Sequence, residues 1–286
     1  MSFEYWFMLP VSFVFATIAI ASGVGGATFF APFFMLALRL PPEIAIGTGL
    51  ITEVFGFASG LYAYARKKLI DYKLGLTLLT VTVPMALLGT WVSGAVEANV
   101  LKAVLGMGLF AIAAAFMRAP QSEDIDLLDT HIQKTYGGVQ AETCIITRDQ
   151  EKICYTVCNK TQGRLIAGIG GLFVGMISTG LGELNGYFLL QRCRVPSAVS
   201  VATSVFVVAV TVLIASLGHF YKFTTYGPET LQMVFSIVMF TIPGVIVGAQ
   251  AGSFVSRKIP QPVLEKGLGI LFMLLAFLTI GEIVLH

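Results

Sequence analysis

The chain has 286 residues, 56% of them hydrophobic and 12% charged, with a mean hydropathy of +0.84. Soluble domains carry about 25% charged residues, so this composition excludes an ordinary soluble enzyme and indicates a polytopic membrane protein. A net charge of +2, with the basic residues in loops rather than on one face, gives no basis for a nucleic-acid partner.

The opening run MSFEYWFMLP lacks a positive n-region and a small-residue cleavage site, so residues 5–37 read as a first membrane segment rather than a cleaved signal. Further apolar stretches lie at about 43–64, 74–96, 99–117, 165–190, 198–221, 230–254 and 263–285. A helix needs about 20 apolar residues to cross a hydrocarbon core of roughly 30 Å. The first and fifth stretches exceed one straight span, and each carries a glycine cluster, Gly23-Val24-Gly25-Gly26 and Gly180 to Gly186. Between the halves lies a polar segment that opens acidic (Glu123, Asp124, Asp126, Asp129) and ends AETCIITRDQEKICYTVCNK. Its alternation of β-branched and polar residues around Arg148-Asp149-Gln150 predicts a small β-hairpin. The chain thus divides into a transmembrane repeat at 1–117, a central loop at 118–163 and a second repeat at 164–286.

The two halves keep the same order of features. Arg39-Leu40-Pro41-Pro42 followed by Gly47-Thr48-Gly49 answers to Arg194-Val195-Pro196-Ser197 followed by Ala202-Thr203-Ser204, and Pro84 with Gly89 answers to Pro243 with Gly248. Duplication of this kind is typical of secondary transporters. If the first and fifth stretches enter, break at their glycines and return, 15 of the 18 Lys and Arg fall on one side, leaving Arg39, Lys102 and Lys222 on the other. If all eight stretches cross, the division is 11 to 7. The positive-inside rule favours the first arrangement. The expectation is an all-α membrane protein of two inverted repeats, each with a glycine-broken re-entrant segment and three full spans, with both termini outside and the hairpin insert in the cytosol.

Irregular backbone inside a bilayer is tolerated where it lines a cavity, so the paired breaks mark the expected binding site. Helix N-termini at such breaks present free amides that suit an anion. The expected substrate-binding residues are Gly23, Gly25, Gly26, Thr48, Ser178, Thr179, Gly180, Gly182, Asn185, Thr203 and Ser204. For any one hydroxyl, bonding back to its own helix is the plainer role. Gly244, Gly248 and Gly252 read as close-packing positions instead. An acid inside a bilayer costs about 2.5–3.5 kcal/mol on insertion scales and so needs a reason. Glu53 shares a helical face with Gly49, Gly56 and Gly60, and Glu183 stands where the first repeat has Gly26. Neither acid is mirrored, since Glu53 answers to Val208. The functional reading makes both acids proton carriers; the structural reading makes Glu53 a buried protonated acid and Glu183 a cap on free amides. His219 and Trp91 read as interface residues with no site role, and Glu282 as interfacial.

Cys144, Cys154 and Cys158 have the spacing Cys-x9-Cys-x3-Cys, without a fourth ligand placed as in a zinc ribbon, although His131 lies upstream. Free cytosolic thiols are expected, and a disulfide if the topology is reversed. No metal or cofactor is implied.

The glycine breaks and [Gly/Ala]-Thr segments resemble those of the sulfite exporter TauE/SafE family of membrane permeases. The residues carrying the match are Gly23, Gly25, Gly26, Pro32 and Gly47-Thr48, then Gly180, Gly182 and Ala202-Thr203-Ser204. The likeness covers nearly all of the chain outside the central loop. It implies transport of small anions, commonly sulfur oxyanions and organosulfonates such as sulfite, sulfoacetate or taurine breakdown products, coupled to an ion gradient. The chain departs from the family pattern at Glu183-Leu184-Asn185 and Leu189, and in its longer, cysteine-richer centre. Two other readings fit the same residues. One is a membrane-embedded sulfur-transfer relay using the central thiols; the other is a passive anion channel.

Overall fold

The computed structural model describes residues 3–22, 27–117, 143–193, 195–255 and 261–285. The chain is mostly helical. A 3₁₀ turn (Phe3–Tyr5) leads into α1 (Met8–Ser22), α2 (Ala27–Leu36), α3 (Pro42–Lys67), α4 (Tyr72–Ala95) and α5 (Ala98–Met117). Strands β1 (Thr143–Ile146) and β2 (Lys152–Tyr155) follow. Then come α6 (Lys160–Ile177), α7 (Leu181–Gly186), a π-helix (Tyr187–Arg192), α8 (Ser197–Tyr226), α9 (Pro228–Val255) and α10 (Gln261–Leu285). Within α3, α4, α8, α9 and α10 lie five stretches long and apolar enough to cross a membrane.

Local chemistry sets the helix ends. Pro42 opens α3, where a missing N–H costs nothing. Asp71 caps α4 by accepting from the Leu74 N–H at 2.9 Å, and Asn159 caps α6 by accepting from Thr161 and Gln162. Lys68 closes α3 in the left-handed conformation, φ 56°.

Glycines then decide which helices pack. In a bilayer the surrounding lipid is as apolar as leucine, so close approach of small residues and interhelical hydrogen bonds drive association. Along α6, Gly168, Gly171 and Gly175 meet Val81, Thr82 and Ala86 of α4 in rising order, so the two helices run parallel. Gly244 and Gly248 of α9 meet Leu9 to Ala16 of α1 in the same sense, and Thr17 donates to the Gly248 carbonyl at 3.2 Å. A Cβ at Gly89 would sit 3.0 Å from the Met176 amide, and one at Gly248 would sit 2.9 Å from Ala16 Cβ. The two matched glycines therefore perform the same task. By contrast α5 and α10 run antiparallel, with Gly106 against Ile280 and Gly269 against Met117. So do α3 and α8, where Gly47 leaves room for His219 and Phe223. Hydroxyl pairs add cross-helix bonds, Thr52 to Thr241 at 2.8 Å and Thr82 to Thr211 at 3.0 Å.

One end of the bundle is tied by Lys222, which pairs with Glu43 at 2.7 Å and donates to the Thr90 and Trp91 carbonyls. The opposite end carries the predicted hairpin. Its strands pair antiparallel with Cys144 opposite Cys154, and Gln150 supplies the left-handed turn residue, φ 63°. Tyr155, fully buried, donates to Asp71 Oδ2 at 2.7 Å, and Arg148 N–H bonds the Lys67 carbonyl, so the hairpin is plugged onto the α3–α4 turn. Burial and the Asp71 hydrogen bond hold the Tyr155 phenol well above its ordinary pKa, which keeps it a donor.

Two expectations are corrected. His219 is not an interface residue: it is fully buried on α8, where Gly47 lacks the side chain that would exclude its ring. Its Nε2–H donates to the Gly175 carbonyl at 2.9 Å. Nor are the cysteines free thiols, because Cys144 pairs with Cys154 and Cys158 with Cys193. The second bridge joins residues 35 apart in sequence, brought together by the return of the chain after α6.

Candidate functional site

The second glycine cluster makes a local reversal. After α6 ends at Ile177, Ser178 and Gly180 take left-handed conformations, φ 60° and 105°, and α7 begins at Leu181. Glycine adopts such a conformation at no steric cost, whereas a serine there carries strain of a kind concentrated at functional sites. The chain then lies back along α6. The Phe188 ring covers Gly163, Leu181 packs on Gly170, and Phe173 Cβ lies 3.3 Å from where a Gly180 Cβ would stand. Around the first cluster, the Phe15 ring of α1 packs against Phe29, Phe30 and Phe33 of α2, with centroids 5.2–5.8 Å apart.

The start of α2 touches the second break. Thr28 Oγ1, at the start of α2, lies 3.2 Å from Thr179 Oγ1 in a buried hydrogen bond that joins the two halves of the chain. Beside this contact is a cavity of about 340 Å³. Thr28, Ser178, Thr179 and Gly180 line it, Glu53 and Phe57 contribute from α3, and Glu183 and Tyr187 from the returning arm. Ser200, Val201, Ser204, Val208 and Val212 of α8 complete the wall. Tyr187 and Val201, 48% and 44% exposed, are the open members of the set. Val201 lies one turn into α8, so the cavity opens toward the hairpin end.

Among the described residues the lining includes two carboxyl groups and no Lys, Arg or His. The Glu183 carboxylate accepts from the backbone N–H groups of Gly180 and of Glu183 itself. Ser178 is 3% exposed, and its Oγ is a buried atom without a hydrogen-bond partner among the described residues. A buried hydroxyl left unpaired costs about 1–3 kcal/mol, and a ligand oxygen at the wall would remove that cost. Such a wall offers hydroxyl donors for an oxyanion, carboxyl groups for a proton and aliphatic surface for a short carbon chain.

The family model for the sulfite exporter TauE/SafE matches residues 8–279. The chain belongs to the TauE/SafE family. Among curated proteins, the TauE/SafE chain is 23% identical over 283 residues to the probable membrane transporter protein YunE of Bacillus subtilis (strain 168), covering 96% of this chain and 97% of that one. It is 24% identical over 252 residues to the probable membrane transporter protein YjnA of the same organism, covering 85% and 87%. The probable membrane transporter protein ORF9 of Sinorhizobium sp. is 34% identical over 121 residues, 42% of this chain and 46% of the relative. No solved structure matches at a significant level. This TauE/SafE chain is accordingly a membrane transporter.

Of the residues expected at its site, Ser178, Thr179, Gly180, Gly182, Ser204, Glu53 and Glu183 line the one cavity. Gly23, Gly25 and Gly26 lie outside the described residues. Three others are elsewhere. Thr48 bonds back to the Ile44 carbonyl at 2.7 Å, Thr203 accepts from the Asp71 N–H at 3.0 Å, and Asn185 is buried off the wall with Nδ2 unpartnered. Sequence reasoning did not single out Thr28, Ser200 or Tyr187. Thr28 was within reach, since it lies two residues after the first glycine cluster. Val208, matched to Glu53 by the repeat, lines the same cavity as Glu53.

Proposed function

We propose that this transporter is an inverted-repeat permease that carries a small anion, a sulfur oxyanion or an organosulfonate such as sulfite or sulfoacetate, across the cytoplasmic membrane with a proton. The carrying observation is the Thr28–Thr179 contact beside a cavity that holds both intramembrane acids. Residues from both halves of the chain, Thr28 beside the first glycine cluster and Ser178 to Glu183 at the second, meet at one cavity, which is how repeat transporters build their sites.

The packing supports inversion. With α3 taken as running down, α8 antiparallel to it runs up, α4 runs up and α9 down. Then α6, parallel to α4, runs up, whereas α1, parallel to α9, runs down. The helices α1, α3, α4 and α5 thus oppose α6, α8, α9 and α10, and the Thr52–Thr241 pair is answered by Thr82–Thr211. The ring contacts of Phe15 with Phe29 to Phe33 support a re-entrant first segment, because a straight helix would hold Phe15 and Phe33 about 27 Å apart. Basic residues at the hairpin end, including Arg66, Lys67, Lys68 and Lys73, support a cytosolic hairpin and outer termini.

A passive channel would instead show anion flux independent of any pH gradient. The sulfur relay loses its basis in free thiols, because all four cysteines are paired.

The reading is tested with purified protein in a thermal-shift screen of sulfite, thiosulfate, sulfoacetate, taurine and simple carboxylates. Ser178→Ala removes the unpaired hydroxyl and adds no bulk at a left-handed position, and is expected to weaken binding of the stabilising anion by about tenfold. Unchanged affinity would remove Ser178 from the site.

A further inference from the structure

The Cys158–Cys193 bridge stands where it can control the cavity. The contacts of the second broken segment form a ladder, Phe173 with Gly180, Gly170 with Leu181 and Gly163 with Phe188, and the bridge is its next rung outward. Cys158 precedes the Asn159 cap of α6, and Cys193 follows the π-helix directly. The bridge therefore ties together the two feet of the hairpin. Between feet and tip, the α6 side of the seam offers Gly163 and Gly170, which present no side chains to lock the returning arm. That arm gives Glu183, Tyr187 and Leu190 to the cavity wall. The first broken segment has no cysteine in residues 1–41, so only one half is clasped.

The charge pattern and the bridge set a condition on each other. Resting on the topology proposed above, the feet face the cytosol, where thiols are kept reduced and a disulfide that forms is a transient, redox-responsive one. Cys158 is exposed and Cys193 is 2% exposed, so attack is directed to one sulfur. We propose that Cys158–Cys193 is a reducible clasp, opened by a dithiol, that regulates transport through the cavity by freeing the arm from Leu181 to Arg192. A dithiol thiolate attacks Cys158 Sγ, the S–S bond breaks, and Cys193 leaves as a thiolate that takes up a proton. The second thiol of the reductant then displaces Cys158, also as a thiolate that is protonated. The protein gains two electrons and two protons, and the reductant becomes a disulfide.

The test uses the full-length protein in liposomes, oxidised or treated with dithiothreitol, with the thiol state fixed by alkylation and peptide mass. Sulfoacetate is the transport probe, because sulfite would itself cleave the bridge. Reduction is expected to raise amide exchange across Leu181–Arg192 by about tenfold and to speed sulfoacetate flux several-fold. The double variant Cys158→Ser/Cys193→Ser should match the reduced protein in both states, whereas Cys144→Ser/Cys154→Ser should still respond. Equal exchange in the two states overturns the clasp, as does failure of Cys158 and Cys193 to pair in the oxidised protein. Raised exchange with flux that ignores redox state overturns its control of transport. Raised exchange with no flux of any screened anion in either state leaves the clasp standing and sinks the permease reading instead.

Discussion

Glu183→Gln is expected to reduce pH-gradient-driven uptake in liposomes to the level of protein-free vesicles, with the melting temperature of the purified variant unchanged. Glu183 lies on the cavity wall, with Glu53 contributing to the same wall from α3. A carboxyl group in a bilayer is costly, and what it offers in return at a transport site is a proton taken up on one side and released on the other. Glutamine keeps the oxygen that accepts from the Gly180 and Glu183 amides, so the cap at the start of α7 survives. Only titration is lost. Downhill exchange of the anion without net proton movement should persist. Undiminished coupled uptake by the variant would confine Glu183 to capping.

The second large effect concerns stability. Gly175→Val should give little folded protein, and Gly175→Ala should lose about 1–3 kcal/mol in denaturant unfolding, as overpacked sites do. A Cβ at Gly175 meets the Ala86 carbonyl oxygen and would lie 2.8 Å from the Thr90 amide nitrogen. These are backbone atoms of α4 and have no rotamer by which to move aside. The same glycine offers its carbonyl to His219, so separating α6 from α4 also disturbs the one hydrogen bond of a buried imidazole. Gly281→Ala is the control, because nothing lies within 4 Å of a Cβ there. Its unfolding midpoint should not move. Equal tolerance of Ala at Gly175 and Gly281 would mean that the α4–α6 seam is looser than these distances state.

What the sequence made legible followed from features that repeat or alternate. Composition specified a membrane protein, and alternation around Arg148 to Gln150 specified the hairpin. Glycines are legible as breaks because a bilayer punishes irregular backbone, so a cluster inside an apolar run has few explanations. Hydroxyl residues are less so. Thr203 and Ser204 are neighbours, yet Ser204 faces the cavity and Thr203 serves Asp71, a difference of about 100° around α8 that no local pattern states. His219 was misread for a similar reason: hydropathy places a residue along a span but does not say which way it faces. The Cys158–Cys193 pairing was hidden because it depends on the chain returning along α6, a tertiary event between two segments that look independent. The π-helix at Tyr187–Arg192, beside that bridge, has no sequence mark of its own.

The most direct measurement is a structure of the protein determined with saturating sulfoacetate. Anion density is expected in the cavity beside the Thr28–Thr179 contact, with an oxyanion group within hydrogen-bond distance of Ser178 Oγ and Thr179 Oγ1 and next to Glu183. Sulfoacetate bound at any other place in a protein that still transports it would contradict the assignment of this cavity as the transport site.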